Sequence, residues 1–242
     1  MNSVYEELNS LGLINYDNII TASGFDFPYD IIIRKISPHS HILDWGCGNG
    51  QLTCFLLSKG LRVTAYTIEN LDIAEILKKR WPDQFTYCRT DDPRKLPFQN
   101  NTFDSVISMG VLEHVKETGG DEVASLKEIK RVLSPNGSFI CLHLPRQQSW
   151  IERLAPVFAP GQYRHKYKYN ENQVKDMVEQ VNLVISEMGV YAMLPRNIAK
   201  ILPDSIKNSR FISRIYNYSD IFLARFFPNI SQNIYFIASK SN

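Results

Sequence analysis

Short apolar runs and stretches of helical periodicity alternate through the first two thirds of the chain. Strands are predicted where short runs rich in β-branched and aromatic residues end at turn residues. These runs are 40–45, 62–68, 85–88, 105–109 and 138–144. Helices are predicted over 51–59, 71–77 and 123–133, with a turn at 134–137. Strands that alternate with helices indicate βαβ units, so we expect an α/β fold with a mainly parallel sheet and helices on both faces.

The last third of the chain is less regular. Asn170 and Gln173 have the spacing of a capping box, which predicts the start of a helix. Two more strands are predicted at 183–191 and 233–239, which brings the expected sheet to seven strands. The residues between them, about 193–231, contain no clear strand pattern and are expected to form a helical insertion before the last strand.

A glycine-rich loop separates the first predicted strand from the first predicted helix. Asp44 is followed by Gly46, Gly48 and Gly50 at alternate positions. Glycines permit a tight turn and let a ligand approach the backbone, and the helix that follows offers free N–H donors. The spacing is G-x-G-x-G, whereas dinucleotide-binding loops have G-x-G-x-x-G. The loop therefore indicates a ligand site and disfavours a nicotinamide cofactor.

Five segments resemble class I S-adenosylmethionine (SAM)-dependent methyltransferases in order and spacing. They are 42–50, 91–98, 101–108, 111–115 and 131–137, and they cover about residues 40–144. The resemblance implies a Rossmann-like methyltransferase fold and SAM as the cofactor. One domain over 1–242 is then expected to consist of an N-terminal helical cap (1–37), a SAM-binding core (38–145) and an acceptor-side region (146–242).

The resemblance assigns the glycine loop and the end of the fourth strand to the methionine half of SAM. The residues expected there are Asp44, Gly46, Cys47, Gly48, Ser108 and Met109. The glycines would approach the cofactor through their backbone. Asp44 would orient the loop and assist at the ammonium group.

Acidic residues after the second and third strands are assigned to the ribose and the adenine. Asp92, or Asp91 if the register slips by one, would accept a hydrogen bond from the adenine amine. The carboxylate that binds the ribose in this family falls on Thr67, whose hydroxyl cannot clamp two ribose hydroxyls as a carboxylate does. Glu69 is the expected substitute, with Asp72 also within reach. A similar threonine occurs in cyclopropane fatty-acid synthases, which keeps a lipid acceptor in view.

Methyl transfer from a sulfonium requires in-line alignment of the acceptor and needs no protein nucleophile. A hydroxyl acceptor also needs a base, whereas an amine needs only its lone pair. The candidate bases are His165, His143 and His114. His165 lies within the basic-aromatic run 163–169, His143 lies at the end of the fifth predicted strand, and His114 follows the fourth. We expect a small-molecule acceptor, methylated at oxygen, such as a glycan precursor, a lipid-linked sugar or a quinone-like metabolite.

Charge and composition narrow the classes of partner. The chain has 27 Lys and Arg against 25 Asp and Glu, a net charge of +2, which argues against a nucleic-acid binder. Within 193–231, however, six basic residues face two acidic ones among many aromatic side chains. A lid over the acceptor, a peripheral membrane contact and an amphipathic helix packed on the core all fit this pattern.

The remaining expectations concern location and cofactor class. The chain has no apolar run that is long enough to span a membrane, the N-terminus does not resemble a signal peptide, and the four cysteines are isolated. We therefore expect a cytoplasmic protein, and no cluster with zinc spacing suggests a metal. Two alternatives stay open: a non-catalytic SAM-binding partner subunit and a nicotinamide-dependent oxidoreductase.

Overall fold

The computed structural model describes residues 18–90, 92, 94–158 and 164–240, and its centre is a seven-stranded sheet. The strands are β1 (His41–Trp45), β2 (Arg62–Thr67), β3 (Phe85–Arg89), β4 (Phe103–Met109), β5 (Leu133–Pro145), β6 (Leu183–Tyr191) and β7 (Asn233–Lys240). Their order is β3-β2-β1-β4-β5-β7-β6. Strands β1 to β5 pair in parallel, and β7 is antiparallel to both of its neighbours. The predicted fold class, a mostly parallel α/β sheet, is confirmed.

Helices surround this sheet. They are α1 (Ile19–Ala22), α2 (Asp26–Lys35), α3 (Gln51–Ser58), α4 (Ala74–Arg80), α5 (Glu122–Val132), α6 (Trp150–Phe158), α7 (Glu171–Gln180), α8 (Asp204–Lys207) and α9 (Arg210–Phe226). Adjacent residues of β1 belong to different cores: Ile42 packs with α3 residues and Leu43 with α5 residues. Since successive strand residues point to opposite faces, helices cover both faces of the sheet.

The strand order reverses beside β1. Strand β1 pairs with β2 on one side and with β4 on the other, and Trp45 lies opposite both Tyr66 and Ser108. In open parallel sheets, ligands bind beyond the carboxyl ends of the strands at such a reversal. The fold therefore brings the glycine loop and the end of β4 to one edge of the sheet.

Strand β5 begins earlier than the sequence predicted. The turn expected at 134–137 lies within β5, because Leu133 already pairs with Phe103. The next pair is Ser138 with Ser105, so the residues in between bulge out of the ladder. Helix α5 ends one residue short of its predicted end, since Leu133 already belongs to the sheet.

Hydrogen bonds join the helical cap to the insertion. Asn217 of α9 donates to the Asp26 carboxylate (3.0 Å) and accepts from the Ser23 hydroxyl (3.1 Å). Arg196 donates to the Ile20 carbonyl at 2.9 Å. The two segments, distant in sequence, thus form one layer. Residues 1–17 of the predicted cap lie outside the described residues.

None of the helices among the described residues combines the length and the apolar character that a membrane span requires.

Candidate active site

The three glycines of the loop have different environments. All have positive φ, but a side chain at Gly46 would meet Val111 at 2.5 Å and one at Gly50 would meet Ile73 at 2.9 Å. At Gly48, by contrast, no atom lies within 4 Å of the position that a Cβ would take. Gly46 and Gly50 are therefore required by packing, whereas Gly48 leaves its surface open to a ligand.

Asp44 connects β1 to α3 beneath the loop. Its buried carboxylate accepts a hydrogen bond from the Thr53 hydroxyl at 2.5 Å. Burial raises the pKa of Asp44 to about 7, against the opposing effect of the Thr53 hydrogen bond. A cationic group beside this carboxyl would favour its ionised form. The predicted role at the ammonium group fits this environment.

Thr67 supports the backbone at the end of β2. Its side chain is buried, and its hydroxyl accepts a hydrogen bond from the Glu69 N–H at 3.1 Å. The Tyr87 hydroxyl donates to the Glu69 carbonyl at 3.1 Å, which fixes the same residue from the other side. The Glu69 side chain is exposed, and no described residue hydrogen-bonds to its carboxylate. Of the two, Glu69 is thus the group that offers a carboxylate to a ligand.

Asp92 has a partner that the sequence did not predict. Arg94 donates from Nε to Oδ1 (2.8 Å) and from Nη2 to Oδ2 (3.1 Å). These hydrogen bonds hold the pKa of Asp92 below its usual range. The Arg94 backbone N–H also donates to Oδ1, at 3.0 Å, so Oδ2 is the oxygen that keeps a lone pair for an amine. Asp91 lies outside the described residues.

His143 lies in the wall of a cavity at the end of β5. It has a φ of +60°, and its backbone N–H donates to the Tyr191 hydroxyl at 2.8 Å. Burial lowers its pKa to about 4, and the nearby His165 and Arg196 act in the same direction. The ring is therefore neutral at pH 7.

His114 and His165 lie together, with ring centroids 6.2 Å apart, outside the cavity wall. His165 Nδ1 is 2.9 Å from the Glu152 carboxylate, which also pairs with Lys168 at 2.9 Å. Burial acts to raise the pKa of Glu152, but hydrogen bonds from His165 and Lys168 outweigh it and leave the pKa below its usual value. His114 Nδ1 is 3.0 Å from Glu117. The three predicted histidines thus occupy two separate places.

The cavity has a volume of about 900 Å³. The helical cap, the end of β5, helix α6, the end of β6 and helix α9 enclose it, with Phe25, Phe27, Trp150, Ile151, Leu154 and Ile221 among its apolar residues. Ligand cavities commonly measure about 300–1,000 Å³. Trp150, Tyr191 and Asn233 were not predicted as site residues, because they belong to elements that only the fold brings together.

Residues 43–141 match the sequence profile of a family described as "Methyltransferase domain". By sequence, this part of the chain is a methyltransferase domain. The matched residues run from β1 to β5 and include the glycine loop, Glu69, Asp92 and the end of β4. The methyltransferase domain therefore accounts for the five strands, β1 to β5, on which the resemblance was based.

Relatives of this methyltransferase domain include enzymes named for lipid-like molecules. Sterol 4-C-methyltransferase strm-1 of Caenorhabditis elegans is 32% identical over 46% of this chain and 33% of its own length. Demethylmenaquinone methyltransferase of Symbiobacterium thermophilum is 33% identical over 48% of this chain and 47% of its own. Ubiquinone biosynthesis O-methyltransferase of Vibrio parahaemolyticus is 25% identical over 62% and 65%. The similarity spans only part of each relative.

A solved structure extends the likeness to the whole fold. The 1,6-didemethyltoxoflavin N1-methyltransferase of Burkholderia thailandensis, which holds 1,6-didemethyltoxoflavin and S-adenosylhomocysteine, superposes with a TM-score of 0.58. It covers 99% of this chain and 85% of its own, at 15% identity. The likeness therefore includes the cap and the insertion that flank the methyltransferase domain, and it concerns the fold alone.

Proposed function

We propose that this protein transfers a methyl group from SAM to an oxygen atom of an apolar small molecule. The observation that carries the proposal is the cavity of about 900 Å³, which adjoins the methyltransferase domain at the end of β5. Aromatic and aliphatic walls favour a quinone-like or lipid-linked ring over a free sugar. The relatives named for sterol, demethylmenaquinone and ubiquinone biosynthesis support the same class of acceptor.

The residues at the ends of β1 to β3 fit SAM. The open surface of Gly48 suits close approach by the methionine half, and the buried carboxyl of Asp44 suits its ammonium group. Glu69 and Asp92 offer carboxylates to the ribose and the adenine. When bound, SAM supplies an electrophilic methyl group on a positively charged sulfur. The task of the chain is to align the acceptor oxygen with that methyl group and to exclude water.

We propose that the side chain of His143 contacts the acceptor hydroxyl. Its Nε2 is buried, and no described residue hydrogen-bonds to it. The Asn233 amide nitrogen lies 3.5 Å from Nδ1 and can only donate to it, so the neutral ring carries its proton on Nε2. Nε2 can then donate a hydrogen bond to the oxygen of an ionised hydroxyl, whose proton has gone to water, and hold that oxygen in line with the methyl group. Replacement of His143 by asparagine should lower turnover about a hundredfold, because the acceptor oxygen loses this alignment. The affinity for SAM should change less than twofold.

Calorimetric titration with SAM and with NAD tests the cofactor assignment. We expect SAM to bind and NAD not to bind. Glu69→Gln should weaken SAM binding about tenfold, because a charged hydrogen bond contributes about 1.5–3 kcal/mol. Glu75→Gln, which also changes an exposed glutamate after β2, should bind SAM as the unchanged protein does. Binding of NAD in place of SAM would indicate the oxidoreductase, and equal SAM affinity in both variants would remove Glu69 from the site.

A panel of catechols and hydroquinones with isoprenoid tails, assayed with radiolabelled SAM, tests the acceptor class. We expect methyl ethers as products. Tight SAM binding with no transfer to any member of the panel, nor to sugar or amine acceptors, would favour the non-catalytic SAM-binding subunit.

Helix α9 supports a further element of this proposal, contact with a membrane surface. Its exposed side contains an apolar stripe, which we define as Phe211, Ile215, Tyr218, Phe222 and Phe226. These residues recur three and four positions apart and therefore form one face of the helix. Arg210, Arg214 and Arg225 are exposed on the same helix. An apolar face flanked by arginines suits an anionic bilayer. Ile221 and Arg225 also line the cavity, so an acceptor could enter from the lipid.

Flotation with lipid vesicles tests this contact. The protein should float with vesicles that contain phosphatidylglycerol and much less with pure phosphatidylcholine. The double variant Phe222→Ser, Phe226→Ser should lose at least tenfold in partitioning, since each buried phenylalanine contributes about 1.5–3 kcal/mol. Ile76→Ser removes an equally exposed apolar residue from α4 and should have no effect. Equal flotation of the two variants would contradict a role for the apolar stripe.

A further inference from the structure

Three side chains with metal-binding atoms converge beside the end of β4. Glu113, His114 and His165 each offer one ligand atom, and these atoms all lie within 4.8 Å of one another. Glu113 and His114 come from the 3-10 helix Leu112–Thr118, and His165 comes from the segment that leads to α7. Ligand atoms about 2.1 Å from a shared zinc ion are about 3.4 Å apart in a tetrahedral site. Small side-chain rotations would bring the three into this range.

Both histidines are already oriented as metal ligands are. His114 Nδ1 is 3.0 Å from a Glu117 oxygen, and His165 Nδ1 is 2.9 Å from a Glu152 oxygen. A carboxylate at Nδ1 favours the tautomer with the proton on that nitrogen, so Nε2 is the atom that would bind a metal. Histidine ligands in metal sites almost always donate their other N–H to a carboxylate or a carbonyl. Here both histidines of the cluster have a carboxylate at Nδ1.

Glu113 provides an independent observation. Its side chain is only 3% exposed, and its Oε2 is buried without a hydrogen-bond partner among the described residues. A buried carboxylate oxygen without a partner is costly, since most buried polar atoms in proteins are hydrogen-bonded. His114 Nε2 lies 4.0 Å from the other oxygen, too far for a hydrogen bond. A cation between these groups would satisfy the carboxylate.

We propose that Glu113, His114 and His165 bind one divalent transition-metal ion. Two imidazoles and a carboxylate suit zinc and its neighbours in the first transition row and are less suited to magnesium or calcium, which prefer oxygen ligands. The site lies close to the cavity: a Cβ on Gly110 would be 3.7 Å from Glu113 Oε1 and 3.9 Å from the Cβ of His143. The inference does not depend on the activity proposed above.

Titration of the EDTA-treated full chain with Co²⁺ tests the site, because the visible absorption of bound cobalt reports its ligands. We expect one ion per chain, displaced by one equivalent of Zn²⁺. His165→Ala and Glu113→Gln should each weaken binding at least tenfold. Glu117→Gln removes an orienting carboxylate and should weaken binding by no more than about tenfold, at the lower end of the effect of such partners. His39→Asn, which removes an exposed histidine at a position that tolerates asparagine, should bind as the unchanged protein does.

Two results would overturn the proposal: no stoichiometric cobalt binding by the unchanged protein, or equal binding by His165→Ala and the His39 control. Circular dichroism is the control that checks whether each variant is folded. Should Glu113→Gln unfold, His165→Ala still decides, because its side chain is 30% exposed and its removal leaves no large cavity. SAM calorimetry on the same samples separates the two proposals, since either ligand can bind without the other.

Discussion

Single residues in the glycine loop differ in what they contribute, although the sequence presents them as one motif. Gly46 and Gly50 are confined by neighbouring side chains, and Gly48 faces open space. We predict that Gly48→Val lowers SAM affinity at least tenfold, because the new side chain occupies the surface that the cofactor approaches. Calorimetry measures the change.

Gly60 provides the matched control for this variant. Like Gly48 it has a positive φ and no neighbour within 4 Å, but it follows α3 at the opposite end from the loop. Valine should destabilise the fold at both positions by about 1–2 kcal/mol through left-handed strain. If Gly60→Val lowers SAM affinity as much as Gly48→Val, strain and not blockage is the cause.

His143 should make stability depend on pH. Burial lowers its pKa from 6.5 in the unfolded chain to about 4 in the folded protein. The unfolded chain therefore binds the proton first, and the contribution of His143 to the free energy of unfolding falls as the pH drops from about 6.5 to 4. The loss amounts to roughly 3 kcal/mol. Asp44, whose pKa burial raises to about 7, acts in the opposite direction over the same window.

Urea unfolding at several pH values in EDTA measures this dependence. The difference in the free energy of unfolding between the unchanged protein and His143→Asn, which suits a positive φ, should change by roughly 3 kcal/mol across that window. His39→Asn changes an exposed histidine of the same backbone conformation and should keep the pH dependence of the unchanged protein. The same pH dependence in His143→Asn and in the unchanged protein would contradict the titration of His143.

At the scale of the element, α9 is held by polar contacts and not by an apolar core. Its buried residues are Ser213, Asp220 and Ala224. Asp220 accepts hydrogen bonds from the backbone N–H groups of Met193 (2.7 Å) and Leu194 (2.6 Å). The helix thus attaches the start of the insertion while its apolar stripe stays exposed.

We predict that Asp220→Ala lowers the free energy of unfolding by about 3 kcal/mol, because two backbone N–H groups lose their acceptor at a cost of about 1–3 kcal/mol each. Hydrogen exchange should accelerate in 193–226. Asp204→Ala removes an exposed carboxylate paired with Lys207 and should cost less than about 1 kcal/mol. Similar losses in the two variants, measured by urea unfolding, would contradict the role of Asp220.

The whole molecule should respond to the cofactor product. S-adenosylhomocysteine at about a hundred times its dissociation constant should stabilise the fold by about 2.7 kcal/mol. For a chain of this length, that corresponds to a rise in melting temperature of roughly 5–10 °C. Differential scanning calorimetry measures the shift, with NAD as the comparison. The same shift in Gly48→Val would place the product away from the loop.

Local sequence patterns were sufficient for the sheet, and they indicated where we propose that the cofactor binds. All seven strands were predicted close to their observed positions, since strand periodicity and turn residues act over a few neighbours. The start of β5 was the exception, because its bulge depends on pairing with β4. The spacing of the glycine loop by itself indicated a ligand, and the family resemblance assigned the acids after β2 and β3 to the same ligand.

Tertiary structure alone decided how distant residues meet. The cavity wall combines the cap, β5, α6, β6 and α9. His165 lies beside Glu113 and His114, although no spacing in the sequence links it to those two residues. Arg94 donates a hydrogen bond to the Asp92 carboxylate. Motifs record constraints between neighbours along the chain, whereas cavities and convergent side chains arise from packing between segments that the sequence leaves far apart. The sequence by itself therefore determined the methyltransferase fold, and the fold determined where an acceptor and a metal ion can bind.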